Sequence, residues 1–413
     1  MKNGGKVLMV AYHFPPQSGS SGAQRTVGFV RYLREFGWEP AVLTVDPRAY
    51  EAVDHQLAPP DGVCVHRALA FDASRHFAIG ERYPSFLARP DRWTSWRWAG
   101  VIRGLAIVRR WKPDVLWSTY PIATAHAIGH AIARITGTPW IADFRDPMAQ
   151  DGYPADPRTW ESFRGIESRA IGRATRTVFT TPSAAETYRH RYPERAERIA
   201  VIENGFDEEM FGDSAPADAR VVTDERFVLL HSGIVYPSER DPTALIKALA
   251  ALRDAGRLER HELVIRFRAP VHGALIEILA RRHGVEDVIE IAAPLPYREA
   301  LAEMSRADGL LVLQAANCNE QIPAKIYEYL RAGRPILGLA DPSGDTAGAL
   351  VNAGVTHIAA LEDATAIADA LRRFVYDVRG GRAPLPNQAT VRRASRRERT
   401  ADLARLLNEA AQR

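Results

Sequence analysis

KVLMVAYHFPPQSGSSGAQRTVGFVRYLREFGWEPAVLTV, residues 6–45, decides the fold class. Residues 6–12 form an apolar run that reads as a buried strand, and a Gly/Ser loop follows at 18–22. Residues 24–36 then place Val27, Val30, Leu33 and Phe36 on one helical face, with Gly37 as a left-handed stop before a second strand at 40–45. Working outward, further strand patterns fall at 114–118, 140–144, 177–182 and 199–205, most of them separated by helical periodicity. Strands alternating with helices imply βαβ units and a parallel sheet, whose ligands sit beyond the carboxyl ends of its strands.

A polar stretch rich in Asp, Ala and Pro at 212–226 reads as a linker. The alternation restarts at 227–233 and continues at 263–269, 288–293, 310–314, 335–340 and 356–360. The pattern therefore predicts α/β architecture with an N-terminal domain over 1–211, a second over 227–380, and a charged C-terminal helix within 381–413 that packs back on the first. At 413 residues the chain exceeds the size of a single core, and two doubly wound domains facing each other across a cleft account for it.

Composition narrows the function. Hydrophobic residues make up 46% and charged residues 25%, which is ordinary for globular cores. A net charge of +4, spread along the chain, suits a small anionic ligand or an acidic membrane surface rather than a nucleic-acid track. Two unrelated cysteines, Cys64 and Cys318, argue against a disulfide framework or zinc site and for a reducing, cytoplasmic setting. No apolar run approaches the roughly 18 residues of a membrane span.

The segment NEQIPAKIYEYLRAGRPILGLA, residues 319–340, carries the most chemistry. Pro323 suits a first helical position, Ile326, Tyr327 and Leu330 give the buried stripe, and Gly333 ends the helix. Glu320 then stands at the helix mouth and Glu328 further in. The amides and dipole of that mouth favour a phosphate, Lys325 adds positive charge, and the carboxylates suit sugar and ribose hydroxyls. An isolated pair at this spacing also suits a helix-start acid and a solvated face residue.

In its context the pair is recognisable. Glu320 and Glu328, with seven residues between them and Ala-Gly-x-Pro after them, resemble the Glu-x7-Glu motif of family-four retaining glycosyltransferases of GT-B fold. Residues 202–211 (IENGFDEEMF) resemble the family's end of the first domain, 231–242 (HSGIVYPSERDP) its second-domain opening, and 294–313 its base-binding loop, helix and strand. The resemblance implies two Rossmann-like domains, with Glu320 on the transferred sugar and Glu328 on the ribose. It implies Gly233 at the donor turn, and Arg240 with Lys325 on the pyrophosphate. Residues 235–239 interrupt the family's usual Arg and Lys pair after that turn.

In the first domain, IADFRDPM at 141–148 resembles a family subgroup with an Asp-Phe-Arg-Asp-Pro run, Met148 standing where Trp is usual. Many members carry a donor-binding His at this strand end; here Asp143 and Arg145 take the catalytic expectation, although an Asp/Arg cluster also reads as a structural ion pair. Gly19 and Gly22, in the loop before Arg25, let backbone approach a ligand closely or serve turn chemistry alone, and the resemblance implies that this loop lines the cleft near the donor's sugar and phosphate. His126 and His130 have ligand-compatible spacing but no third partner, and no Asp-x-Asp occurs, so metal-independent transfer is expected, with no cofactor besides the nucleotide-sugar substrate. The basic, aromatic stretch 92–111 reads as core packing or as contact with a membrane or lipid-linked acceptor, and Pro90-Asp91-Arg92-Trp93 also belongs to the subgroup pattern.

The expected function is transfer of a hexose-type sugar from a nucleotide diphosphate to a hydroxyl of a glycan or lipid-linked acceptor, as in polysaccharide biosynthesis. The expected partners exclude nucleic acid and include a membrane surface. The alternatives are a nucleotide-sugar epimerase of the same fold and an inactive nucleotide-sugar-binding protein.

Overall fold

A computed structural model describes residues 4–18, 22–80, 82–212, 226–258 and 262–412. Two compact units emerge: residues 1–204 with 396–413, and residues 205–395. Among the described residues, the first unit holds a seven-stranded sheet of β1 (Gly5–Val10), β2 (Trp38–Val45), β3 (Cys64–Ala68), β4 (Val115–Thr119), β5 (Trp140–Arg145), β6 (Arg176–Phe179) and β7 (Ile199–Val201). All pairs are parallel, in the order β3-β2-β1-β4-β5-β6-β7. The chain order reverses between β1 and β4, where Val7 faces Val115, and such a switch point opens a crevice at the strands' carboxyl ends.

The apolar run of β1 is explained by two-sided burial. Leu8 and Val10 enter one layer with Leu43, Leu116 and Trp140, while Val7 and Met9 enter the opposite layer with Phe29, Trp117 and Ile141. The helix Gly22–Tyr32 runs on as a tight turn through Phe36 and stops at Gly37, whose φ of 77° is left-handed and whose N–H caps the carbonyl of Arg34. Edge strand β3 shows no run of the predicted kind, because four of its five residues are exposed or only half-buried.

The second unit has a six-stranded parallel sheet among the described residues, of β8 (Phe227–Ser232), β9 (Leu263–Arg268), β10 (Ile289–Ala292), β11 (Gly309–Gln314), β12 (Ile336–Ala340) and β13 (His357–Ala359). Its order, β10-β9-β8-β11-β12-β13, puts the switch point between β8 and β11. There the loops after both strands meet: Ala315 N donates to Glu239 O (2.7 Å) and Asn317 Nδ2 to Ser238 O (2.8 Å).

Several boundaries differ from those read in the sequence. The first unit closes at 204 rather than 211, because Phe206 and Phe211 pack in the second unit with Leu330 and Ile336. Of the linker, residues 213–225 lie outside the described residues. The terminal segment is two helices, Gln388–Arg393 and Arg396–Ala411. Val391 and Ala394 of the first belong to the second unit, whereas Leu403, Leu407 and Ala410 of the other join Val7, Met9 and Trp117. The helix of the Glu pair begins at Lys325, not Pro323, and ends at Gly333 in the left-handed conformation. Ala316–Cys318 form a separate short turn ahead of it, so Glu328 lies in the first helical turn.

Candidate functional site

The first unit gathers its polar groups at the carboxyl ends of β1, β4 and β5. Asp143 is fully buried and both its oxygens are taken: Arg25 Nε donates to Oδ2 (2.9 Å), Arg25 Nη2 to Oδ1 (3.0 Å) and Thr119 Oγ1 to Oδ2 (3.1 Å). Arg25 also donates to the carbonyls of Ile202 and Glu203, each at 2.9 Å. The pair ties β5 to the end of β7 and to the first helix. Both oxygens of Asp143 are thus engaged within the protein, the geometry of the structural ion pair that the sequence also allowed.

Arg145, two residues on, is half-buried, its Nε buried and without a hydrogen-bond partner among the described residues. The register against β6 shifts between Asp143 and Arg145, and Arg145 adopts φ 63° while Asp146 N donates to Phe144 O across it (2.7 Å). A non-glycine residue held left-handed costs about 1–3 kcal/mol and persists where neighbours fix it. Here Thr180 fixes it, its N–H (2.9 Å) and Oγ1 (2.8 Å) both donating to Arg145 O. Beyond it, the carboxylate of Glu167, fully buried, accepts from Tyr188, Tyr192 (2.7 Å), Arg191 (3.1 Å) and Ala149 N (3.1 Å), and so holds the rest of the loop.

His13, in the loop after β1, lies within the field of Arg145. Burial, with that positive charge, lowers its pKa to about 4, so its imidazole is neutral near pH 7. Burial raises the Asp146 carboxyl above the usual range, against the pull of Arg145 and Arg25. His13 was not among the residues singled out in the sequence, and its signal was its place seven residues into the opening strand and loop. Gly22 begins the first helix, buried, whereas Gly19 lies outside the described residues. His126 is a core residue: Trp140 Nε1 donates to Ser118 Oγ (2.9 Å), which lies 2.8 Å from His126 Nδ1, and burial lowers the imidazole pKa to about 3. No group of three candidate metal ligands occurs among the described residues.

In the second unit the expected donor residues converge on the turn after β8. Gly233 has φ 120°, and a Cβ built there would lie 2.0 Å from Lys325 Nζ, which donates to Ser232 O. Arg240 bonds the carbonyl of Ile234 (2.9 Å) and lies over the Tyr236 ring (5.5 Å), with its Nε buried and without a hydrogen-bond partner. Burial and the neighbouring Arg240 lower the Lys325 pKa to about 7, opposed by Glu328. Glu328 accepts from Tyr297 Oη (2.6 Å), and Tyr329 Oη accepts from Ser232 N (2.8 Å). Two basic side chains close together at a switch point, beside a turn without a side chain, have the chemistry that suits a multiply charged anion.

Glu320 stands half-buried on the loop before this helix. The loop is pinned on both sides: Asn319 Nδ2 donates to Asp341 (2.8 Å), Asp345 N to Asn319 O (2.9 Å) and Thr346 Oγ1 to Gln321 O (2.9 Å). Gly233→Ala is expected to cost about 1–3 kcal/mol through the backbone conformation alone, read as a lower urea midpoint with unchanged slope.

Comparison with known proteins bears on the fold. Residues 21–205 match the model of the glycosyl transferase 4-like domain. The chain is similar to a D-inositol 3-phosphate glycosyltransferase of Nocardiopsis dassonvillei, 27% identical over 249 residues that cover 58% of this chain and 52% of that one. It thus spans about half the length of that relative. Among solved structures it resembles HepE of Anabaena in complex with UDP, with TM-score 0.67, 15% identity, and 98% of this chain and 100% of that chain covered. It also resembles sucrose-phosphate synthase of Thermosynechococcus elongatus, with TM-score 0.66, 15% identity and 98% of each chain covered.

Proposed function

We propose that this chain, which has the GT-B fold and a glycosyl transferase 4-like domain over residues 21–205, is a retaining glycosyltransferase that takes a sugar from a nucleotide diphosphate. The observation that carries the reading is the convergence of Lys325 and Arg240 on Gly233 at the β8/β11 switch point. A pyrophosphate there relieves the repulsion between the two cations and accepts hydrogen bonds from both. Glu328, held by Tyr297, is placed for ribose hydroxyls, and Glu320 for hydroxyls of the transferred sugar.

The bond from the sugar's anomeric carbon to the diphosphate oxygen breaks, and its electron pair leaves with the diphosphate, where Arg240 and Lys325 stabilise the developing charge. The acceptor hydroxyl attacks the same face of the sugar and gives its proton to the departing phosphate oxygen. On the first unit, Arg145 and neutral His13 lie together at the carboxyl end of the sheet, where they suit an anionic or hydroxyl-bearing ligand. Asp143 acts through Arg25 as a positioning residue.

The relative from Nocardiopsis dassonvillei is by name a glycosyltransferase, and an acceptor from polysaccharide or lipid-linked glycan synthesis suits the reading. No helix among the described residues is long and apolar enough to cross a membrane. Trp98 (76% exposed) and Ile102 (69% exposed) lie on an Arg-rich helix and support peripheral contact with an anionic surface in the cytoplasm, whereas Trp93 and Trp96 of the same stretch pack against Tyr12.

Thermal-shift measurement with UDP, GDP and ADP tests the donor site. At a concentration of about 100 Kd one of them is expected to stabilise the protein by about 2.7 kcal/mol. Glu320→Ala is expected to abolish transfer while keeping the thermal midpoint and nucleotide affinity. Full transfer by that variant would sink the assignment, and a new sugar isomer formed from donor alone would favour the epimerase reading.

A further inference from the structure

The first unit carries a depression of about 760 Å³ whose walls include Tyr83, Arg89, Arg92, Trp93, Arg158 and Thr159. Two helix starts anchor it to the same end of the sheet as Arg145. Asp91 accepts from Thr124 N (2.8 Å) and Thr124 Oγ1 (2.9 Å) at the start of the helix Ala123–Thr136, which follows β4. Asp156 accepts from Thr159 N (2.8 Å) and Thr159 Oγ1 (2.7 Å) at the start of the helix Pro157–Arg173, which follows β5.

The charges in the depression are unevenly satisfied. The carboxylates of Asp91 and Asp156 are engaged as helix caps, and Asp91 also accepts from Trp93 N (3.1 Å). Arg158 reaches no carboxylate within salt-bridge distance among the described residues, although it lies in the field of Asp156. Among the described residues Arg89 bonds Ser85 Oγ (2.8 Å) and also lies in the field of Asp156, and its Nε is buried with no hydrogen-bond partner. Arg92 is shared among Glu51, Asp72 (3.7 Å) and Ser74 (3.0 Å), with its guanidinium over the Trp93 ring (4.8 Å). Planar guanidinium forks with spare donors suit phosphate or carboxylate, and half-exposed aromatic rings suit the apolar face of a sugar.

We propose that this depression is the acceptor subsite and that the acceptor is an anionic sugar, its phosphate or carboxylate held by Arg89 and Arg158 and its ring against Tyr83 and Trp93. The assignment of acceptor rather than donor rests on the reading above, in which the donor diphosphate is held by Lys325 and Arg240. The shared chemistry is a sugar bearing an anion, whether soluble or lipid-borne.

Calorimetry on the full chain tests it with D-glucose 6-phosphate, D-glucuronate, D-glucose and vesicles of phosphatidylinositol, on the native protein and on the doubly substituted Arg89→Gln, Arg158→Gln variant. An anionic probe is expected to bind at least about tenfold more tightly than glucose, to weaken with added salt, and to lose about tenfold in the variant at an unchanged thermal midpoint. Preference for vesicles over the soluble anions identifies a lipid-borne acceptor. Equal binding of charged and neutral sugars, no binding of any probe, or an unaffected variant overturns the proposal. If the double variant fails to fold, Arg158→Gln alone is read in the same way. UDP and GDP binding to the native protein is measured separately: its absence counts against the donor reading, and sugar-phosphate binding then stands or falls on its own result.

Discussion

Nucleotide diphosphate binding should weaken about tenfold for each pH unit from about pH 7 upward, and Lys325→Arg should flatten that slope. The cause is the cost of keeping Lys325 charged in a buried place beside Arg240, which lowers its pKa to about 7. A bound diphosphate favours the charged form and moves the pKa back toward the ordinary lysine range. Between the two values the complex binds one more proton than the free protein, so affinity falls as pH rises. Below about pH 7 the lysine is charged in both states and its share of the slope vanishes. The terminal phosphate titrates near pH 6, which leaves the window above pH 7 to the lysine.

The linkage reverses for folding. The unfolded chain holds the Lys325 proton up to its ordinary pKa, so its contribution makes the free second unit more stable as pH rises above about 7. Calorimetric Kd values across this window, in buffers of different ionisation enthalpy, measure the proton taken up. A flat profile for the native protein would mean that Lys325 does not meet the phosphates.

Asp143→Ala is expected to destabilise the first unit by about 3–5 kcal/mol, because it leaves the guanidinium of Arg25 buried without its carboxylate. For a unit of this size that is a fall of roughly 10 °C in the midpoint. Arg25 also carries the carbonyls of Ile202 and Glu203, so the loss spreads to the end of β7. A catalytic Asp143 would instead give a folded, inactive protein with an unchanged midpoint. Differential scanning calorimetry distinguishes the two outcomes.

The sheets were largely legible in the sequence, because strands buried on both faces leave continuous apolar runs. Strands β1, β4, β5, β8, β11 and β12 fall on such runs, whereas β9 and β10 are half-buried at several positions and show only as shorter or alternating patterns. Strand β3, CVHRA, has one buried residue and left no run to read. The nearness of Lys325 and Glu328 was legible through helical spacing, and the turn at Gly233 through its glycine. What the sequence could not convey is pairing at a distance: Asp143 meets Arg25 across 118 positions. Nor could it convey a backbone inversion at Arg145, since arginine carries no local preference for φ 63°. The helix starts at Lys325, and the loop before it is held by bonds of Asn319 with Asp341 and Asp345 and of Gln321 with Thr346.

The helix Arg396–Ala411 completes the first unit although it is synthesised after the whole of the second. The second unit is thus a continuous insertion within a discontinuous one. On the ribosome, residues 205–395 can close their core while the layer of Val7, Met9 and Trp117 still lacks Leu403 and Leu407. The earlier-made half of the molecule is the later to mature, and until then its uncovered sheet face is the place where a chaperone is most needed.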